Sequence, residues 1–234
     1  MTNSEWRIAS DGNDDAHSLF RYSLFAIRNY PCLALLAILP FLLNCQAMYF
    51  LTTTETKTVQ AEYAKIGHRK VAVVVWADRS TLDADPRARR RVCDAVLYDL
   101  KKHLLDAQFV KAQEIEDFQE SSGLDWEGMT QLETCKELKC DMVLRIDLLD
   151  YTTRSRAAHE LRRGRVRGTV SLYEAESGEQ AVYSTDVTAS YPPADKQAST
   201  DETDAELIRE AVTQFGQEVG KKFHDHEESL RGRK

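Results

Sequence analysis

The 234-residue chain has no uninterrupted apolar run of the about 20 helical residues needed to cross ~30 Å of hydrocarbon. It has no glycine-rich phosphate cradle and no Ser, Cys or Lys in a recognisable nucleophile motif. Phosphoryl transfer and covalent hydrolysis therefore have no basis in the sequence, and the chain is predicted not to be an enzyme. Cysteine is scarce: there are five, and only Cys93, Cys135 and Cys140 lie beyond the longest apolar run. An odd number is not a disulfide framework. No further ligands stand at zinc-site spacing around them, so no metal and no cofactor is predicted. Basic residues are also in deficit, 31 Lys and Arg against 38 Asp and Glu for a net −7, which argues against nucleic acid as a partner.

What is present begins with Cys32–Cys45, CLALLAILPFLLNC, an uncharged run preceded by Arg21 and Arg28. Its apolar part, Cys32 to Leu43, has the length of a secretory hydrophobic region, and the arginines supply the positive flank. Leu42-Leu43-Asn44-Cys45 resembles the bacterial lipobox, in which cleavage precedes a diacylated cysteine. Leu42 fits three residues before the cysteine, and Asn44 departs from the small residue usual just before it. This makes Cys45 the candidate lipidation site. The alternative extends the run to Tyr30–Leu51, which includes Pro40, Asn44 and Gln46, as an uncleaved transmembrane anchor. A buried core helix is a third reading, because runs of 12–14 apolar residues also suit cores. The first two readings put the remainder outside the cytoplasm, in the periplasm, with positive charge before the run and Glu55 soon after it.

The predicted organisation is a lead over 1–29, a signal peptide or anchor over 30–51, a threonine-rich linker over 52–68, one domain over 69–226 and a solvated tail over 227–234. Lys70–Trp76, apolar on both faces, reads as a central strand. Asp85-Pro86 is expected to open a helix in which Ala88, Val92, Val96, Leu100 and Leu104 recur every four residues. Gln108–Lys111 is a short strand candidate, Ala112–Gln119 a short helix, Asp125–Leu138 a longer one and Asp141–Tyr151 a second clear strand. From Arg165 the period becomes two, turns at Glu176-Ser-Gly-Glu179 and returns through Ala181–Ala189, the pattern of a hairpin. Thr203-Asp-Ala-Glu206 is a capping box that opens a helix with Ile208, Val212, Phe215, Val219 and Phe223 on one side. The sum is an α/β (α+β) domain: one mixed five-stranded sheet, order 2-1-3-4-5, packed with three to four helices.

Three stretches carry a resemblance: Val71-Ala-Val-Val-Val-Trp76, Cys135-Lys-Glu-Leu-Lys-Cys-Asp-Met-Val-Leu144 and the turn around Glu174-Ala-Glu-Ser-Gly178. They are similar to the TolB N-terminal domain, the curli-export lipoproteins and the lipoprotein activators of penicillin-binding proteins. That resemblance implies an anticodon-binding-like α/β sandwich, often behind a lipidated cysteine, and a non-catalytic role docking to a protein or cell-wall component. In those families Leu-Gly-Ala-Asp commonly joins helix to strand. Here Lys139 stands in the glycine's place, and a β-carbon in a left-handed cap costs about 1 kcal/mol or more.

Few residues offer a site. Arg154, Arg156, Arg162, Arg163, Arg165 and Arg167, with Glu160, give 151–168 a local +5 in an acidic domain, a candidate contact for an anionic partner. Cys135 and Cys140 can be bridged only if the helix ends between them. Asp78, Asp83 and Asp85 follow the first strand and read as a loop carboxylate and a helix cap. His224-Asp-His226 has no third partner in sequence and is expected to face solvent. Gly216 and Gly220 mark, at most, a close packing contact.

Overall fold

The computed structural model describes residues 56–154, 162–193, 196 and 201–229, the side chains of Arg154 and Ser229 excepted. The lead, the apolar run with Cys45, and Arg156 lie outside the described residues. Among the described residues no helix is long and apolar enough to cross a membrane. Thr58–Glu228 forms one compact unit; the other, Met1–Lys57 with Ser229–Lys234, falls almost wholly outside them.

Strand β2 (Lys70–Trp76) is an inner strand of the sheet. It pairs in parallel with β3 (Gln108–Phe109) on one side and with β4 (Met142–Arg154) on the other. Val71 through Val75 are at most 3 % exposed, so both faces of the strand are covered and β-branched side chains fill both. Burying each valine contributes roughly 1.5–3 kcal/mol. From β4 the chain turns antiparallel through β5 (Arg162–Glu174) and β6 (Tyr183–Tyr191), with Gly178 at φ 72 in the connecting turn. The order is β3-β2-β4-β5-β6. It differs from the expected 2-1-3-4-5 because β1 (Thr56–Val59) pairs outside this sheet and moves each later strand up one number.

Among the described residues there are six helices, not three to four: α1 (Arg79–Ala84), α2 (Ala88–His103), α3 (Ala112–Ser121), α4 (Asp125–Gly128), α5 (Gln131–Glu137) and α6 (Asp204–Gly220). The expected helix over 125–138 divides after Gly128 because Thr130 and Glu133 form a second capping box that restarts it. Asp85-Pro86 does not open α2 directly. The Asp85 carboxylate accepts from the Arg87 N–H at 3.1 Å, and the helix begins at Ala88. The capping box at Thr203 and Glu206 opens α6 as expected.

α6 lies on one face of the β4–β6 meander and also across α2. A β-carbon on Gly164 of β5 would meet the Leu207 carbonyl oxygen of α6 at 2.1 Å, and one on Gly168 would touch the Phe215 ring at 3.4 Å. At the helix crossing, a β-carbon on Gly216 would stand 2.6 Å from the Ala95 carbonyl oxygen. The G-x-x-x-G therefore does mark close packing between two helix backbones.

The segment read as a linker is part of the compact unit. Ile66 is fully buried, the Tyr63 N–H donates to the Lys222 carbonyl at 3.0 Å and the Tyr63 hydroxyl donates to Glu174 at 2.9 Å. Burial, and then that hydrogen bond, push the Tyr63 phenol up to about 12. The tail begins in β7 (His226–Ser229), which pairs with β1. A threonine-rich composition hides both contacts, since they depend on one isoleucine, one tyrosine and backbone amides.

The α2–α6 crossing gives a direct test. Gly216→Ala is expected to lower stability by about 1–3 kcal/mol through overpacking, read as a lower midpoint in urea. Gly128→Ala, whose β-carbon meets nothing, is expected to leave the midpoint unchanged or raised.

Candidate functional site

Strand geometry divides the arginine segment. Arg162–Arg167 belong to β5 and not to a loop, and alternate residues point to opposite faces. Arg162 falls on the α6 face, where it pairs with Asp204 at 3.4 Å. Arg163, Arg165 and Arg167 fall on the other face. Arg163 donates to the Lys196 carbonyl at 2.6 Å, Arg165 pairs with Asp150 at 3.3 Å and Arg167 with Asp186 at 3.9 Å. Arg145 joins this face from β4, its Nε 2.9 Å from Asp147. The expected single basic patch is thus a ladder of alternating charges, with Arg165 and Arg167 each 44 % exposed at the side chain. Ion pairs at such exposure are worth about 0–1 kcal/mol, so an anionic partner can compete for these arginines. Arg154 is in β4, opposite Arg162 in the register.

The carboxylates after β2 have structural roles. Asp78 caps α1, accepting from the Thr81 N–H at 2.9 Å and the Ser80 hydroxyl at 2.7 Å, and these bonds hold its carboxyl below the usual range. Asp85 accepts from the Tyr151 hydroxyl at 2.7 Å and pairs with Arg91 at 3.0 Å. These residues line a cleft of about 740 Å³ together with Ser80, Thr152 and Asp204. Asp83 is exposed.

Cys93, Cys135 and Cys140 are buried free thiols, so the bridge considered between Cys135 and Cys140 is not formed. The condition for it is met: α5 ends at Glu137, and Lys139 takes the left-handed conformation at φ 49. Cys140 N–H donates to the Cys135 carbonyl at 3.0 Å and Lys139 N–H to the Lys136 carbonyl at 3.3 Å. This pair of bonds is a Schellman cap, whose usual apolar contact between the second residue past the helix and its last turn is here a contact between two thiols. The thiol–thiol hydrogen bond lowers the Cys135 pKa and raises that of Cys140. Lys139 keeps the cap geometry that glycine would adopt without strain. Cys93, whose thiol donates to the Val73 carbonyl at 3.3 Å, is pushed up to about 12 by burial.

The histidines differ most from expectation. The side chains of His224 and His226 are only 11 % and 12 % exposed, and for His224 α2 supplies the partners that the sequence did not show. Asp99 and His103 stand at i and i+4 on the last turns of α2 and face one way. The chain leaving α6 lays the His224 ring on that of His103, centroids 3.9 Å apart and 22° between planes. Asp99 is 7 % exposed, and its Oδ2 lies 3.5 Å from His224 Nε2 and 3.4 Å from His103 Nδ1. Gly220 makes the room: a β-carbon there would be 1.8 Å from Asp99 Oδ2. Asp99, His103 and His224 each offer an atom within 4.8 Å of the others, a set that could hold a metal ion. Sequence reading misses it because the two halves are more than a hundred residues apart. The signal that was present is the D-x-x-x-H spacing in α2.

No family model matches the sequence, and no curated protein matches it. Among solved structures the chain is similar to the PelC dodecamer from Paraburkholderia phytofirmans, at 12% identity over 73% of this chain and 98% of that one, with a TM-score of 0.43. It is also similar to lipoprotein GNA1162 from Neisseria meningitidis, at 14% identity over 62% of this chain and 96% of that one, TM-score 0.37. A minor lipoprotein from Acinetobacter baumannii gives 13% identity over 66% and 91%, TM-score 0.31. With TM-scores below 0.5, these likenesses carry no family and no function to this chain.

The Lys139 cap yields a prediction of opposite sign to most substitutions. Lys139→Gly is expected to raise stability by about 1 kcal/mol, because glycine takes positive φ without strain. Thermal unfolding read by circular dichroism should shift up by about 2–4 °C for a chain of this size.

Proposed function

We propose that this protein is a membrane-tethered envelope lipoprotein whose periplasmic α/β domain binds a protein or cell-wall partner and catalyses no reaction. The observation that carries this reading is Leu42-Leu43-Asn44-Cys45 closing an apolar run that is brief for a bilayer span and follows two arginines. A cysteine so placed receives two or three acyl chains, which makes the attachment lasting where a single chain would not. The resemblance to TolB-type, curli-export and penicillin-binding-protein-activator domains supports docking as the role. So does the half-exposed charge ladder of β4–β6, since arginine forks match carboxylate and phosphate in a bidentate fashion.

Mass spectrometry of the N-terminus of the full chain, extracted from membranes, tests the tether. The expected species begins at an acylated Cys45. An intact first or second residue would overturn the lipoprotein reading in favour of a single-pass anchor over Tyr30–Leu51. The contact face has its own test: replacing Arg165 and Arg167 with Ser is expected to weaken retention on envelope fractions and flatten its dependence on salt. Retention unchanged and insensitive to salt removes the arginines from the contact.

A further inference from the structure

We infer that Asp99, His103 and His224 form a binding site for a divalent transition-metal ion of the zinc class. The reasoning starts from which atoms already carry hydrogens. His224 Nδ1 lies 2.9 Å from the Asp225 carbonyl oxygen, and a carbonyl can only accept, so Nδ1 bears the proton. In the neutral ring Nε2 then presents a lone pair. That lone pair faces Asp99 Oδ2, another acceptor, at 3.5 Å. Both atoms are buried and, among the described residues, neither has a hydrogen-bond partner. Two acceptors facing each other out of water are unfavourable unless a cation lies between them.

A proton or a metal ion can fill that role, and the third group gathered there, His103, points to the metal. A proton shared between nitrogen and carboxylate draws them to about 2.7–2.9 Å. A tetrahedral zinc with bonds of about 2.0–2.1 Å instead sets its ligands about 3.3–3.4 Å apart, close to the separation here. His103 Nδ1 donates to the Asp99 carbonyl at 3.0 Å, which leaves the ring's free lone pair on Nε2. The near-parallel stack does not yet converge both ring lone pairs on one point. Ligation by His103, 32 % exposed at the side chain, therefore requires its ring to turn and give up the Asp99 carbonyl bond.

The surroundings agree with a cation. The site sits at the carboxyl end of α2, where the helix dipole is negative, and Asp99 adds a full charge. Gly220 holds a space that any side chain would fill. His226, whose ring centroid is 6.0 Å from that of His224, stands outside the three. Two imidazoles and one carboxylate suit zinc, and the calcium-type alternative would require more oxygen ligands.

The experiment is competition between the full-length, detergent-solubilised protein, stripped with chelator, and a chromophoric zinc chelator at neutral pH. One zinc ion per chain is expected. His103→Gln, Asp99→Asn and His224→Gln should each weaken binding by more than the roughly 10–100-fold that even an outer partner of a metal ligand is worth. His226→Gln should change it by no more than a few-fold. Zinc should raise the melting temperature of the parent and not of Asp99→Asn, since only the parent binds in the folded state. His103→Gln alters a partly exposed side chain, and an unchanged circular dichroism spectrum shows that its loss of zinc is not unfolding. Failure of the parent to take up one equivalent overturns the proposal. So does equal binding by the parent and all three variants, which would mean capture by other groups. An imidazolium proton on His224, seen by NMR and undisplaced by zinc, overturns it in favour of a buried ion pair.

Discussion

The backbone contact between α2 and α6 is the constraint on which most of the molecule depends. Two helices normally stand 8–10 Å apart because side chains fill the gap between them. Here Gly216 and Gly220 remove the side chains on one partner, and α6 settles against Ala95 and Asp99 of the other. The same helix lies on Gly164 and Gly168 of β5. One element thus joins the parallel half of the sheet, which α2 covers, to the antiparallel half, which α6 covers. Phe215, Val219 and Phe223 are then buried at 0–1 % exposure between two layers that differ in topology.

The crossing has a chemical consequence. It seats a carboxylate in the gap that Gly220 vacates, nearly out of water, and brings the turn after α6 over it with an imidazole. Neither half of the chain holds that arrangement alone. Close packing adopted for the fold and a polar cluster at its end therefore share one cause. On the far side of the sheet the opposite logic holds: Arg165 and Arg167 of β5 are paired with acids and stay half in solvent, where charge is cheap to keep and open to exchange with a partner.

Much of the fold was legible because it is local. The apolar run Val71–Val75, the period-two segments of the hairpin and the capping box at Thr203 each state their own geometry within a few residues. Thr130-Gln-Leu-Glu133 is a capping box of the same local kind, and it divides a stretch whose apolar spacing alone reads as one helix. The linker and the arginine segment misled for a different reason. Composition says that a stretch is polar, and not that Ile66 within it is fully buried or that Arg162 and Arg165 stand on opposite sides of a strand.

The sequence by itself determined the elements, their caps and the apolar run that points to a tether, since each depends on neighbours along the chain. It also determined that a glycine pair in α6 would admit something close. Only the tertiary structure decided what that something was. Periodicity shows which side of a helix is buried but carries no information about which distant surface it meets, so the meeting of His224 with Asp99 and His103 became visible only once the two helices had crossed.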